Sequence, residues 1–312
     1  MYPDVVLFEA LLFLFGGLWL LAWSSDRFVW ASACLARRLR LSSFVVGFVI
    51  VGFGTSLSEL MVSAVAALRG HSDLSLGNAY GSNIFNVAVI LGFLCLLRPI
   101  RIRRSVRLAA VPLLILVTAA SWASLACFGR ITRPMAAAAI LLFVGVVAVY
   151  ARFGRRSARS LGPDREASGS VSAVGMLFFL ATLLLASHLV VWGSVVTARR
   201  LGLSELTIGL TVVAAGTSLP ELATSLAALR RREMDIVLGN VIGSNFFNAV
   251  VVVGASALIR EVESVPEGVL WRDLPFSLIL TCGLLCRRLT CWRGALALAS
   301  FVLYLVLLLC IR

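Results

Sequence analysis

Residues 47–92 reappear at 209–254. Slid forward by 162 positions, the first segment aligns with the second without a gap, and 22 of 46 positions are identical. The match extends upstream, with ARRLRLS at 36–42 against ARRLGLS at 198–204. This is an internal repeat, and any fold for the chain must use one structural unit twice.

Composition fixes the solvent in which those units sit. Of 312 residues, 60% are hydrophobic and 14% charged, with a mean hydropathy of +1.00. Apolar stretches long enough to cross a hydrocarbon core recur along the whole chain, so the sequence reads as an all-α polytopic membrane protein. The first stretch, Val5 to Trp23, lacks a basic start and a small-residue cleavage pattern and is expected to be a retained membrane helix. Ten helices are expected, near 5–35, 42–68, 73–97, 106–127, 134–151, 171–198, 204–229, 235–259, 270–286 and 294–311. The polar, basic segment RFGRRSARSLGPDREASGS, 152–170, reads as a cytoplasmic linker between a first five-helix repeat, 1–151, and a second, 171–312. Five is an odd number of spans. The second copy therefore enters the membrane from the opposite side, giving two inverted five-helix repeats, an arrangement common in secondary transporters.

All 28 basic residues are arginines, and the net charge is +13. They cluster in short groups between apolar runs, as topology signals do, and not on one face as a nucleic-acid site would require. With the amino terminus outside, 19 arginines fall in inside loops and eight on the outer side, Arg27 lying within the first helix; the bias favours a cytoplasmic linker, in a protein expected in the plasma (inner) membrane. The seven cysteines lie in or beside apolar segments without metal-ligand spacing and read as small buried hydrophobes.

Each repeat carries two polar interruptions. GTSLSEL at 54–60 and GTSLPEL at 216–222 supply Thr55, Ser56 and Glu59, and Thr217, Ser218 and Glu221. GNAYGSNIFN and GNVIGSNFFN supply Asn78, Ser82, Asn83 and Asn86, and Asn240, Ser244, Asn245 and Asn248. In both copies the Glu precedes the last Asn by 27 residues. A Gly-Thr-Ser run in a membrane helix, followed by Pro220 in the second copy, is where the backbone ladder can open, and exposed carbonyls are tolerated there only if they line a cavity or bind an ion. Thr and Glu at i and i+4 share a helix face, as do Ser and Asn in the second motif, so hydroxyl, carboxylate and amide oxygens can converge. Every potential ligand is a hard oxygen, suited to Na⁺ and Ca²⁺. Two intramembrane carboxylates brought together need cations or protons to neutralise them. One Glu alone fits a protonated packing residue, and one GSN alone fits a helix contact. The same pairing in two copies at equal spacing fits an ion site better.

Both motifs resemble the alpha-1 and alpha-2 repeats of the cation/calcium exchanger superfamily, with the prokaryotic sodium/calcium exchangers the most similar type. The resemblance implies four central cation sites formed by the second, third, seventh and eighth helices. By position, Glu59 and Glu221 would be shared ligands for Ca²⁺ and Na⁺. Thr55, Thr217, Ser56, Ser218, Ser82 and Ser244 would complete the sites, together with the carbonyls of Gly52 and Ala214 and the polar groups of Asn86 and Asn248. The first and sixth helices would slide against a static core of the other eight. Two departures stand out: Ser58 occupies the usual proline position, so a gentler first kink is expected, and Asn248 stands where many sodium/calcium members carry Asp.

The reading is therefore a Ca²⁺/Na⁺ antiporter working by alternating access in Ca²⁺ efflux, with Ca²⁺/H⁺ exchange as the alternative. It is not expected to be an enzyme, and no cofactor, nucleic acid or obligate protein partner is implied, the ions being cargo. A serine protease would need a base for the GTS serines, and only His188 offers itself; a passive channel would not require inverted repeats with paired broken helices. His188 aligns with Asp26 and reads as a packing or interfacial residue, Glu9 as a residue at a membrane end, and Asp73 and Asp235 as helix amino-terminal charges.

Overall fold

The computed structural model describes residues 3–158, 172–201 and 214–310. Most of the expected linker, 159–170, lies outside them, as do residues 204–213, where the expected seventh helix and the second repeat motif begin. The elements are α1 (Pro3–Arg38), α2 (Ser43–Thr55), α3 (Leu57–Leu68), α4 (Ser72–Leu97), β1 (Ile100–Arg101), α5 (Val106–Phe128) and α6 (Arg133–Ala158). They continue with α7 (Ala173–Arg200), α8 (Ala214–Thr217), α9 (Leu219–Arg230), α10 (Met234–Ile259), α11 (269–283), β2 (Arg288–Leu289) and α12 (Cys291–Cys310).

Among the described residues, seven helices are long and apolar enough to cross a membrane, and the α2–α3 pair, bent by 41°, makes an eighth candidate. The chain is an all-α multi-pass membrane protein. Expected and observed boundaries agree to within a residue for the two helices of the second motif: 73–97 against 72–97, and 235–259 against 234–259. At α6 the helix runs to Ala158, into the expected linker, because RFGRRSA contains arginines that continue a helix readily. The ninth expected helix closes earlier, at Gly283.

Sequence punctuation sets the ends. Ser42 and Ser172 cap α2 and α7 by accepting from the backbone N–H groups of Val45 at 3.3 Å and Gly175 at 3.1 Å. Gly129 ends α5 in the left-handed conformation, φ 64°, its N–H bonded to the Leu125 carbonyl at 2.8 Å. The chain turns after α3 and α9 through Gly70 at φ 86° and Arg232 at φ 62°, positions 162 apart. The same backbone conformation is thus used in both copies, once with the residue that adopts it freely and once without.

Burial identifies the centre. The apolar window of α10 is 94% buried and that of α4 67%, whereas α1, α5, α6, α7 and α12 reach 33% at most and present side chains such as Trp19 and Leu141 outward. The two helices of the second motif therefore form the middle of the bundle. Around them, α2 lies backbone against backbone on α10: a Cβ added to Gly47 would stand 2.7 Å from the Ile236 carbonyl oxygen, and one at Gly52 would stand 2.9 Å from the Ser244 nitrogen. Small residues are what permit such approach between membrane helices.

The long helices α1 and α7 pack along each other outside this core, through Phe13 against Trp192 and Trp23 against Phe179. An ion pair ties α1 to the turn after α9: Arg231 donates to both Asp26 carboxylate oxygens, at 2.7 and 2.6 Å. Both side chains are partly exposed, 33% and 47%, so this pair contributes little. Asp26→Asn is expected to change stability by less than about 1 kcal/mol, and a thermal melt of the purified variant measures it.

Candidate cation site

Both GTS motifs break their helices at the serine. Ser56 separates α2 from α3 at φ −74°, ψ 5°, and Ser218 separates α8 from α9 at φ −94°, ψ 10°. Pro220 has no N–H to return to the Gly216 carbonyl, and the hydroxyl of Ser187 on α7 donates to that carbonyl instead, at 3.1 Å. At the matching position of the first repeat stands Ser58, whose hydroxyl lies 2.9 Å from the Thr55 carbonyl left at the break. The first helix thus bends without proline, by 41°, with a side-chain hydroxyl satisfying backbone that the bend releases.

Glu59 and Glu221 fall in the first turns of α3 and α9, where the helix amino terminus favours negative charge. Each is fully buried, and each is reached by the serine of the opposite repeat. Ser218 donates to Glu59 Oε1 at 3.1 Å, and Ser56 donates to Glu221 Oε1 at 3.0 Å. These contacts exchange under the 162-residue shift. So do the amide contacts beneath them: Asn83 Nδ2 donates to the Asn245 carbonyl at 3.1 Å, and Asn245 Nδ2 to the Asn83 carbonyl at 3.0 Å.

Asn78 and Asn240 hold the acidic turns in place. Asn78 Nδ2 donates to the Glu59 carbonyl at 3.1 Å and to Ser63 at 2.9 Å; Asn240 Nδ2 donates to the Glu221 carbonyl at 3.2 Å and to Ser225 at 2.8 Å. Motif spacing marked these asparagines without indicating that they clamp the backbone of the acid. Asn86 and Asn248 each open a π-helical turn, Asn86–Leu91 and Asn248–Val252, the same local widening at equivalent positions. Such turns recur at functional sites.

The remaining expected residues join the cluster. Ser244 donates to the Gly52 carbonyl at 3.2 Å, and Ser82 lies 3.4 Å from the Ser218 hydroxyl. Thr55 is fully buried, its hydroxyl 3.2 Å from Asn240 Oδ1, and Thr217 is 8% exposed. Ala214 opens α8, at the edge of the described residues.

Polar satisfaction is incomplete here. Glu221 Oε2, Asn86 Oδ1 and both amide atoms of Asn248 are buried without a hydrogen-bond partner, and among the described residues no ion pair reaches either glutamate. A buried carboxylate without a cationic partner costs several kcal/mol, and buried polar atoms are rarely left unpaired. Buried oxygens without donors are what a cation or a proton would satisfy. No group of three or more His, Cys, Asp or Glu side chains suited to a metal occurs among the described residues. The donors are two carboxylates with hydroxyls, amides and carbonyls, a hard-oxygen set.

Ser58 adds a feature that its reading as a missing proline concealed. Besides the Thr55 carbonyl, its Oγ lies 2.8 Å from Glu59 Oε2 and 2.9 Å from the Thr217 carbonyl. One hydroxyl proton serves one of three acceptors, so excess negative character gathers at this corner. The corner borders a cavity of about 320 Å³ reached by Ser58, Thr217, Ser187 and the exposed His188. Asp73 and Asp235 occupy the first turns of α4 and α10, away from this cluster's hydrogen bonds.

The chain matches the sodium/calcium exchanger protein family over residues 9–151 and 171–310. It is 34% identical to the inner membrane protein YrbG of Escherichia coli (strain K12), covering 94% of each chain. It is 30% identical to the sodium/calcium exchanger MaX1 of Methanosarcina acetivorans, covering 94% of this chain and 96% of that one. Its structure superposes on that of the sodium-calcium exchanger NCX_Mj soaked with 2.5 mM Na⁺ and 0.1 mM Ca²⁺ with a TM-score of 0.80 at 29% identity, covering 97% and 98% of the two chains.

Proposed function

Because the chain belongs to the sodium/calcium exchanger protein family, and is thereby a secondary active cation antiporter and not an enzyme, we propose that it exchanges Na⁺ for Ca²⁺ at Glu59 and Glu221. The observation that carries this reading is the reciprocal pair of contacts, Ser218 to Glu59 and Ser56 to Glu221, around carboxylates that no cationic side chain among the described residues neutralises. One Ca²⁺ balances both charges. Na⁺ ions bound at the same oxygens balance them on the return step, so the two cargoes compete and only a neutralised cluster crosses the barrier. Thr55, Thr217, Ser82, Ser244, Asn86 and Asn248 complete the shell with the Gly52 and Ala214 carbonyls.

The architecture proposed for this cycle is ten spans in two inverted repeats, 1–151 and 171–312, with the amino terminus outside and the linker cytoplasmic, as the arginine bias favours. In it, α1 and α7 slide against the core. Ca²⁺ uptake into Na⁺-loaded proteoliposomes, lost when external Na⁺ equals internal, tests the assignment. Proton-coupled Ca²⁺ exchange is the second reading, because Asn at both 86 and 248 limits the cluster to two carboxylates. A pH gradient in Na⁺-free vesicles separates the two.

Ser58 belongs to the proposed shell as an additional oxygen on the first repeat alone, since its counterpart is Pro220. With Glu59 Oε2 and the Thr217 carbonyl it offers three oxygens to a monovalent ion at one flank. Ser58→Ala is expected to raise the Na⁺ concentration for half-maximal exchange about fivefold, equivalent to about 1 kcal/mol, with a smaller change for Ca²⁺ and recovery in Ser58→Thr. Sodium titration of ⁴⁵Ca²⁺ flux reads it; equal shifts for both ions would remove Ser58 from the shell.

A further inference from the structure

A second polar cavity lies away from the ion cluster, where β1 and β2 pair antiparallel, Ile100 opposite Leu289 and Arg101 opposite Arg288. Its volume is about 580 Å³, and it is lined by Arg101, Arg103, Arg104, Arg107 and Arg287 with Ile102. Arg103 pairs with Asp235 at 3.0 Å. Among the described residues the other four have no acidic partner, and Arg107 Nε is buried without a hydrogen-bond partner. Five guanidinium groups gathered around one concavity make it attractive to an anion, and the guanidinium fork matches phosphate oxygens.

The fold does not require arginine here. Shifted by 162 residues, the loop 98–107 becomes 260–269, which keeps the arginine at its start, Arg260, but carries Glu261, Glu263 and Glu267. In the proposed topology the first loop faces the cytoplasm and the second the outside, so the arginine-lined loop is on the side where topology concentrates positive charge and where anionic headgroups meet it.

An apolar cavity of about 410 Å³ adjoins the basic one across a single segment: Cys286 and Leu289 line the apolar space, and Arg287 between them lines the basic space. The apolar cavity runs between α4, α11 and α12 and ends in outward-facing Ile279, Trp292 and Leu296. Tryptophan beside arginine is a membrane-interface pattern. We propose that the two cavities together hold one anionic phospholipid, its phosphate among Arg104, Arg107 and Arg287 and an acyl chain along the apolar cavity. Basic pockets between membrane helices bind such headgroups. A free phosphate would use only the first cavity, and the adjoining apolar space favours the lipid.

Native mass spectrometry of the delipidated full chain tests this with added phosphatidylglycerol, phosphatidylcholine or inorganic phosphate. The expected result is retention of phosphatidylglycerol over phosphatidylcholine, weakened about fivefold for each arginine replaced among Arg104→Gln, Arg107→Gln and Arg287→Gln. Retention returns in part in the corresponding triple lysine variant, which keeps the charge without the guanidinium fork, and is unchanged by Arg69→Gln, an exposed arginine elsewhere. Melting temperatures in lipid-free detergent identify any variant that fails to fold, in which case the single substitutions replace the triple one. Equal retention of the two lipids, or glutamine variants that fold and bind phosphatidylglycerol as the wild type does, would overturn the proposal. Inorganic phosphate displacing the lipid at equal concentration would overturn it too, by making the pocket a free-anion site.

Discussion

Glu221→Gln is expected to reduce Na⁺-driven Ca²⁺ uptake to the background of empty vesicles, and Glu59→Gln to do the same. The change is nearly isosteric, so Ser56 and Ser218 keep a partner atom within reach and the folded chain is retained. What disappears is charge. With one carboxylate left, the cluster cannot balance a divalent ion: Ca²⁺ would leave a net positive charge in a low-dielectric interior, and that cost is several kcal/mol. The effect should be larger than that of any hydroxyl in the shell, because carboxylate contacts to Ca²⁺ are charged and hydroxyl contacts are not. Equilibrium ⁴⁵Ca²⁺ binding to the purified variants separates lost affinity from lost movement. Undiminished transport in both variants would remove the two acids from the site.

The second large effect comes from a residue with no polar atom in its side chain. Gly243, on α10, meets α2 at Phe48: an added Cβ would lie 2.8 Å from the Phe48 Cα and 2.9 Å from its carbonyl carbon. These are backbone atoms and cannot rotate aside. Gly243→Ala is expected to cost about 1–3 kcal/mol and to lower the melting temperature in detergent by several degrees. Transport should fall with it, since the same contact line positions Ser244 against the Gly52 carbonyl. Gly145→Ala in α6 is the control, because nothing lies within 4 Å of its added Cβ. If both alanine variants melt alike, close approach at Gly243 does not hold α2 against α10.

Much of this organisation is legible in the primary structure. Apolar runs bounded by arginine and glycine located α4 and α10 to within a residue, because lipid admits few alternatives to an uninterrupted helix. The gapless repeat identified the polar residues that structure brings together, since each copy carries the same motif at the same spacing. The break at Ser56 was likewise visible as Gly-Thr-Ser. What a repeat cannot reveal is contact between its copies. That Ser218 addresses Glu59, and not the Glu221 three residues away, depends on how the units cross. Ser58 was hidden for the same reason: as a departure from Pro220 it reads as a weakened kink, whereas in space it faces the Thr217 carbonyl of the other repeat. The arginine and apolar cavities were beyond reach too, because they form where residues near 100 meet residues near 288.

Sodium-gradient-driven ⁴⁵Ca²⁺ flux in proteoliposomes, with and without a protonophore, tests the exchange of Na⁺ for Ca²⁺ at paired glutamates most directly. Uptake is expected to follow the outward Na⁺ gradient, to persist when the protonophore abolishes any pH difference, and to vanish in Glu59→Gln and Glu221→Gln. Uptake driven by a pH gradient without Na⁺, or uptake that ignores the Na⁺ gradient altogether, would contradict that exchange.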